Sequence, residues 1–197
     1  MNYAMNIIKN NNNYDEEQLA IIRYGLEGLY LTITKLIIIL LLAFILNLLK
    51  EVIIFLILYN IIRMPSFGLH ATKSWICLLS STIIFIGFPI ICRYLYITNY
   101  FKVILGLTLV LFIYKNAPAD TYKRPIINQK RRIFYKYCST FIAIIFIFCS
   151  MLINNNFISN CFIFSLFVQS FMIAPSVYKL FNLPYNNYLT CLVNNNI

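Results

Sequence analysis

Acidic residues are scarce in this chain. Six of its 197 residues are Asp or Glu, and Asp120 is the only one after Glu51. There is one histidine, His70, and one tryptophan, Trp75. A single imidazole, few carboxylates and no paired cysteine spacing leave no convincing metal-ligand set, so neither a metal nor another cofactor is expected. No glycine-rich phosphate cradle is present, so the sequence gives no support to ATP-driven transport by this chain alone. The opening "MNYAMNIIKNNNNYDEEQ" lacks the uninterrupted apolar run of a secretory leader.

Apolar side chains are abundant instead. They make up 61% of the residues, charged side chains only 11%, and mean hydropathy is +0.77. A soluble domain has too little interior to hide that much apolar surface. The expected class is therefore an all-α integral membrane protein, a single domain over 1–197. The net charge of +10 comes from Lys and Arg set between oily segments, which reads as topology signals rather than a nucleic-acid surface. The six cysteines, Cys77, Cys92, Cys138, Cys149, Cys161 and Cys191, lie mostly in or beside apolar runs and read as small apolar filler.

In segment 15–30, Leu19, Ile22, Leu26 and Leu29 form one helical stripe behind a cluster of acids. This predicts an interfacial amphipathic helix. Six hydrophobic segments follow, at 29–49, 51–63, 74–92, 100–114, 133–153 and 157–173. About 20 apolar residues are needed to cross the hydrocarbon, so 51–63 is short. Gly87 and Pro89 weaken the far end of the third segment. The bundle is expected over 29–174, with a tail from Pro175 to the end; Pro184 argues against a helix running through that tail.

Six crossings with both ends cytoplasmic put Lys9, Arg23, Arg63, Lys73, Lys179 and the seven cations from Lys115 to Lys136 inside. Only Lys50, Arg93 and Lys102 fall outside. On that topology His70 and Cys77 sit at the cytoplasmic face.

His70 and Cys77 stand seven residues apart in "SFGLHATKSWICLLSS" (66–81). A neutral imidazole can take a thiol proton and leave a nucleophilic thiolate. Seven residues of straight helix rise about 10.5 Å, so the two groups meet only where the chain bends between them. Gly68 and the polar run to Ser74 permit the bend. Ser74 as N-cap would make Cys77 the N3 residue, where the helix dipole favours a thiolate. On these residues alone, an incidental pair is the more ordinary reading.

The run "RMPSFGLHATKSWIC" resembles the signature of the accessory gene regulator B (AgrB) family, membrane cysteine endopeptidases of bacterial quorum sensing. In that signature an Arg and a Gly precede the catalytic His, and the catalytic Cys follows seven residues later. The matching positions are Arg63, Gly68, His70 and Cys77. "YKNAPADTYKRPI" (114–126) resembles the family's Pro-containing basic loop. Many members have Gly-Gly-x-His where this chain has "FGLH", so Phe67 replaces the first glycine.

The resemblance implies a propeptide partner with an amphipathic N-terminal helix, a signal segment and a charged tail. Cys77 would attack the bond before the tail with His70 as base and then acid. A Cys or Ser of the propeptide would close a thiolactone or lactone on the resulting thioester. The resemblance also implies a homodimer in the cell membrane. Candidate substrate contacts are Arg63, Gly68, Lys123, Arg124, Arg131 and Arg132. Arg63 reads equally as a topology anchor, and the loop cations equally as lipid-headgroup contacts. Asp120 could orient His70, or serve as an ion-pair partner in a basic loop. Gln169 reads as a hydrogen-bonding residue between helices. The rival class is a non-catalytic membrane protein, such as a small exporter subunit or a sensor's partner. No nucleic acid is expected as a partner.

Overall fold

The computed structural model describes residues 15–69, 74–120, 126–185 and 187–188; among them there are helices and no strands. His70, Lys123, Arg124 and Cys191 lie outside the described residues. The chain divides into two compact units, 1–46 and 47–197.

The first unit contains α1, Glu16–Ile45. Gln18 Oε1 accepts from the Asp15 amide at 3.3 Å, half of a capping box that starts the helix. The amphipathic segment and the first apolar run, expected as two elements, form one uninterrupted helix. Its stretch Gly25–Ile45 is long and apolar enough to cross a membrane. Large apolar side chains such as Ile37, Phe44 and Ile45 are exposed along it, as a lipid-facing helix requires.

The second unit is a helical bundle of α2 (Leu49–Ser66), α3 (Ser74–Thr82), α4 (Phe88–Tyr94), α5 (Asn99–Asn116), α6 (Gln129–Leu152), α7 (Asn156–Ile173) and a short α8 (Pro175–Leu180). One π-helical turn, Ile83–Gly87, joins α3 to α4. It falls where Gly87 and Pro89 were expected to weaken the span. Pro89 has no N–H for the Phe85 carbonyl, and the wider turn absorbs the missing bond. The tail expected from Pro175 starts with α8: that proline opens a helical turn, since its fixed φ suits a first helical position. Beyond it no helix runs through Pro184.

α7 is the hub, packing on α2, α4, α5 and α6. Its buried Ser159, Cys161, Ser165 and Ser170 are small enough to let those helices close in. Asn128 and Asn155 cap α6 and α7, their side-chain oxygens accepting from first-turn amides. α5 meets α6 at Gly106, where a Cβ would lie 2.7 Å from Ile147 Cγ1.

Among the described residues, four helical stretches are long and apolar enough to span a bilayer: Gly25–Ile45, Trp75–Tyr94, Gln129–Leu152 and Asn156–Ile173. α2 and α5 are 18 residues each with polar ends, Lys50, Glu51 and Arg63 in one and Lys102 and Lys115 in the other. These charges shorten the apolar stretch, which is why two of the six expected crossings do not stand out by composition.

The two ends of the bundle differ. At one end, Glu51 pairs with Arg93 at 3.3 Å. The fully buried Lys102 donates to Ser159 Oγ at 2.8 Å, and Ser159 Oγ donates to the Ser150 carbonyl. The other end holds the loop that leads to His70.

Candidate functional site

Pro65 closes the last turn of α2, and the backbone then leaves through two residues at positive φ, Phe67 (+57°) and Gly68 (+121°). At Gly68 a Cβ would stand 3.2 Å from the Met172 carbonyl oxygen. Only glycine adopts this conformation here without strain. Phe67 holds its positive φ with a full side chain. Its ring packs edge-on against Tyr135, with centroids 5.0 Å apart. Its carbonyl accepts from Gln169 Nε2 at 2.8 Å.

The segment 66–69 is fastened on every side. Ala119 N donates to Ser66 O (3.1 Å), Gly68 N to Ala119 O (3.0 Å) and Leu69 N to Met172 O (3.1 Å). Arg63 adds side-chain contacts: Nη1 donates to Tyr59 Oη at 2.7 Å and Nη2 to Leu69 O at 3.1 Å. Arg63 thus holds the residue immediately before His70. Gln169, which reads in the sequence only as an interhelical residue, supports the same loop. The sole sequence signal for it was an amide inside an apolar span.

Cys77 is the fourth residue of α3 and half-buried. α3 begins at Ser74 itself, so the thiol stays in the first turn, one residue later than the N3 position expected with Ser74 as cap. In that turn the free backbone N–H groups and the helix dipole favour an anion.

Asp120 follows the 117–119 segment and is buried, at 1% exposure. Its Oδ1 accepts from Asn187 N at 3.2 Å and its Oδ2 from Tyr188 N at 2.9 Å. Both oxygens therefore staple the tail onto the loop end. Tyr178 Oη donates to the Asp120 carbonyl at 3.4 Å. Burial pushes the Tyr178 phenol above its ordinary range, with Tyr185 and Asp120 adding to the shift and Arg63 opposing it. Burial also raises Tyr185, and Arg132 opposes that shift.

Of the loop cations, Arg131 is exposed. Arg132 turns back and lays its guanidinium on the Tyr188 ring, Cζ 3.4 Å from the centroid. The structure thus brings Arg63, Gly68, Ala119, Gln169 and Met172 together around 66–69, and leaves Arg131 apart from that cluster.

An apolar helical bundle with cations gathered at one end, where a glycine-dependent loop is pinned ahead of a cysteine in the first turn of a helix, defines a polytopic membrane protein. Residues 1–173 match the family model of accessory gene regulator B, and the chain belongs to that family. It is 34% identical over 144 residues to accessory gene regulator protein B of Staphylococcus aureus strain MRSA252, covering 72% of this chain and 77% of that protein. It is 28% identical over 171 residues to an AgrB-like protein of Clostridium acetobutylicum, covering 87% and 82% of the two chains. An AgrB-like protein of Listeria monocytogenes EGD-e is 29% identical over 178 residues, covering 88% of this chain and 85% of that one. No solved structure matches the chain.

Proposed function

We propose that the protein is a membrane cysteine endopeptidase that matures a small quorum-sensing propeptide. The observation that carries this reading is the fastening of 66–69 by Arg63, Gln169, Ala119 and Met172, immediately ahead of His70. A loop held by this many contacts suits a side chain that must be positioned for proton transfer, because misplacement by about 1 Å can cost a hundredfold in rate.

Cys77 Sγ gives its proton to His70 and attacks the carbonyl before the propeptide tail. Amides at the start of α3 stabilise the oxyanion. The imidazolium then protonates the leaving amine, and the tail departs from a thioester. A Cys or Ser side chain of the propeptide attacks that thioester, closes the ring and returns the thiol. Exclusion of water at a membrane face lets cyclisation outrun hydrolysis. Exposed Arg131, with Lys123 and Arg124, captures an acidic tail. In this reading the bundle crosses six times, both ends and the site are cytoplasmic, and the protein works as a homodimer.

The test is propeptide processing in liposomes by wild type, Cys77→Ala and His70→Ala. Both variants should lose cleavage, and the pH profile of Cys77 alkylation in wild type should carry a step in the histidine range near ~6.5 that the profile of His70→Ala lacks. Normal cleavage by either variant would eliminate the reading and leave a non-catalytic membrane partner.

A further inference from the structure

A second site lies beside the one just described. The end of α5, the start of α6 and the tail enclose a cleft of about 640 Å³, lined among others by Lys115, Gln129, Arg132, Lys136, Tyr185 and Tyr188. Among the described residues, three cations line it and no carboxylate does. Among the described residues neither Lys115, Arg132 nor Lys136 has an acidic partner. The nearby acid, Asp120, spends both oxygens on the amides of Asn187 and Tyr188. Arg132 Nη1 is out of solvent and has no hydrogen-bond acceptor among the described residues. Such a guanidinium N–H is unfavourable until an anion reaches it. The Lys136 ammonium sits 4.2 Å from the Tyr114 ring centroid, further shaping the cationic wall.

One turn further along α6 the surface changes character. Phe134, Tyr137, Cys138, Thr140, Phe141 and Ile144 line an almost wholly apolar groove. Ile133 and Lys136 of the cleft are i,i+4 neighbours of Tyr137 and Thr140 of the groove, so the two join along one helix. Phe134 to Ile144 spans roughly 15 Å of helix rise. α6 is itself long and apolar enough to cross a bilayer, which puts the groove against hydrocarbon.

The geometry points to a binding site for an anionic phospholipid, its phosphodiester held by Arg132, Lys136 and Lys115 and an acyl chain lying in the α6 groove. An acidic peptide would satisfy the cations but gain nothing from a groove of aromatic and aliphatic side chains. A zwitterionic lipid would fill the groove but bring a cation into a cleft that already has three. The site is independent of the peptidase reading and is read out without activity.

The test uses the full chain in detergent, titrated with phosphatidylglycerol or phosphatidylcholine of the same chains, with glycerol phosphate, and with a deca-glutamate peptide. Native mass spectrometry and the thermal midpoint are the readouts. Phosphatidylglycerol should be retained and should raise the midpoint by several degrees more than phosphatidylcholine. Arg132→Gln with Lys136→Gln should weaken that retention about tenfold, and Lys50→Gln at the opposite end should not. Should the double variant fail to fold, Lys115→Gln and a groove-filling Cys138→Trp carry the test, each weakening retention. Equal retention of the two lipids, or an unchanged preference in the cleft variants, would overturn the site. Equal stabilisation by glycerol phosphate would reduce it to a simple anion site. Displacement of the lipid by deca-glutamate would make it a peptide site.

Discussion

Arg63 Nη2 donates to the carbonyl oxygen of Leu69 at 3.1 Å while Nη1 donates to the Tyr59 hydroxyl at 2.7 Å, so one guanidinium spans from a helix face to the backbone beside His70. A lysine ammonium is a point charge on a flexible stem and does not reproduce this two-armed geometry. Arg63→Lys should therefore lower propeptide cleavage about tenfold, equivalent to ~1.4 kcal/mol of barrier. A normal rate of Cys77 alkylation at high pH would accompany it, because the thiolate then forms without help. Wild-type cleavage by Arg63→Lys would mean that the loop needs no such clamp.

Phe67 and Gly68 should respond unequally. Phe67→Gly relieves a left-handed φ worth about 1–2 kcal/mol but loses an aromatic contact worth about 0.5–1.5 kcal/mol, so the net change should be small. Gly68→Ala places a Cβ against the Met172 carbonyl at a φ that other residues rarely adopt, at a cost of about 1–3 kcal/mol. Thermal midpoints and cleavage rates of the two variants, measured side by side, check the contrast. A large loss in Phe67→Gly with none in Gly68→Ala would refute it.

Asp120→Asn leaves one carbonyl oxygen where two carboxylate oxygens now hold the amides of Asn187 and Tyr188. Hydrogen bonds to a charged acceptor are worth about 1.5–3 kcal/mol, so hydrogen exchange at those two amides should accelerate roughly tenfold or more. The pH profile of Cys77 alkylation should stay in place if Asp120 is a staple. A displaced profile would instead make it the acid that orients His70.

The alkaline limb of stability should contain a contribution from Tyr178. Its phenol, pushed up chiefly by burial, binds its proton more tightly folded than unfolded. The stability this provides is complete below the unfolded value near ~10 and is lost as pH rises through the folded value. The thermal midpoint of wild type should thus fall more steeply above about pH 10 than that of Tyr178→Phe. Parallel curves would show that the phenol ionises without penalty.

Much was legible in the sequence because much of it depends on composition and local order. A chain this apolar has few places to fold other than a bilayer, and runs of 18 or more apolar residues name their own helices. The positions of Arg63, Gly68 and Cys77 were readable because motif spacing is a property of the chain. The short helix opened by Pro175 was not legible, because proline both stops a preceding helix and starts a following one, and only the neighbouring packing selects between them. The helices α2 and α5 were legible at 51–63 and 100–114, but their crossing was not, because their charged ends dilute a short apolar centre.

The sequence by itself determined the apolar surroundings, the helices and the seven-residue spacing of His70 and Cys77, since these follow from hydrophobic runs and residue order. Only the tertiary structure decided what each polar residue does. Gln169 reaches Phe67 across 102 residues of sequence. Asp120 meets amides 67 and 68 residues away. Arg132 turns from an apparent charge run onto the ring of Tyr188. Hydrogen bonds act over about 3 Å and need a specific direction, so their partners are fixed by how helices pack and not by where residues stand in the chain.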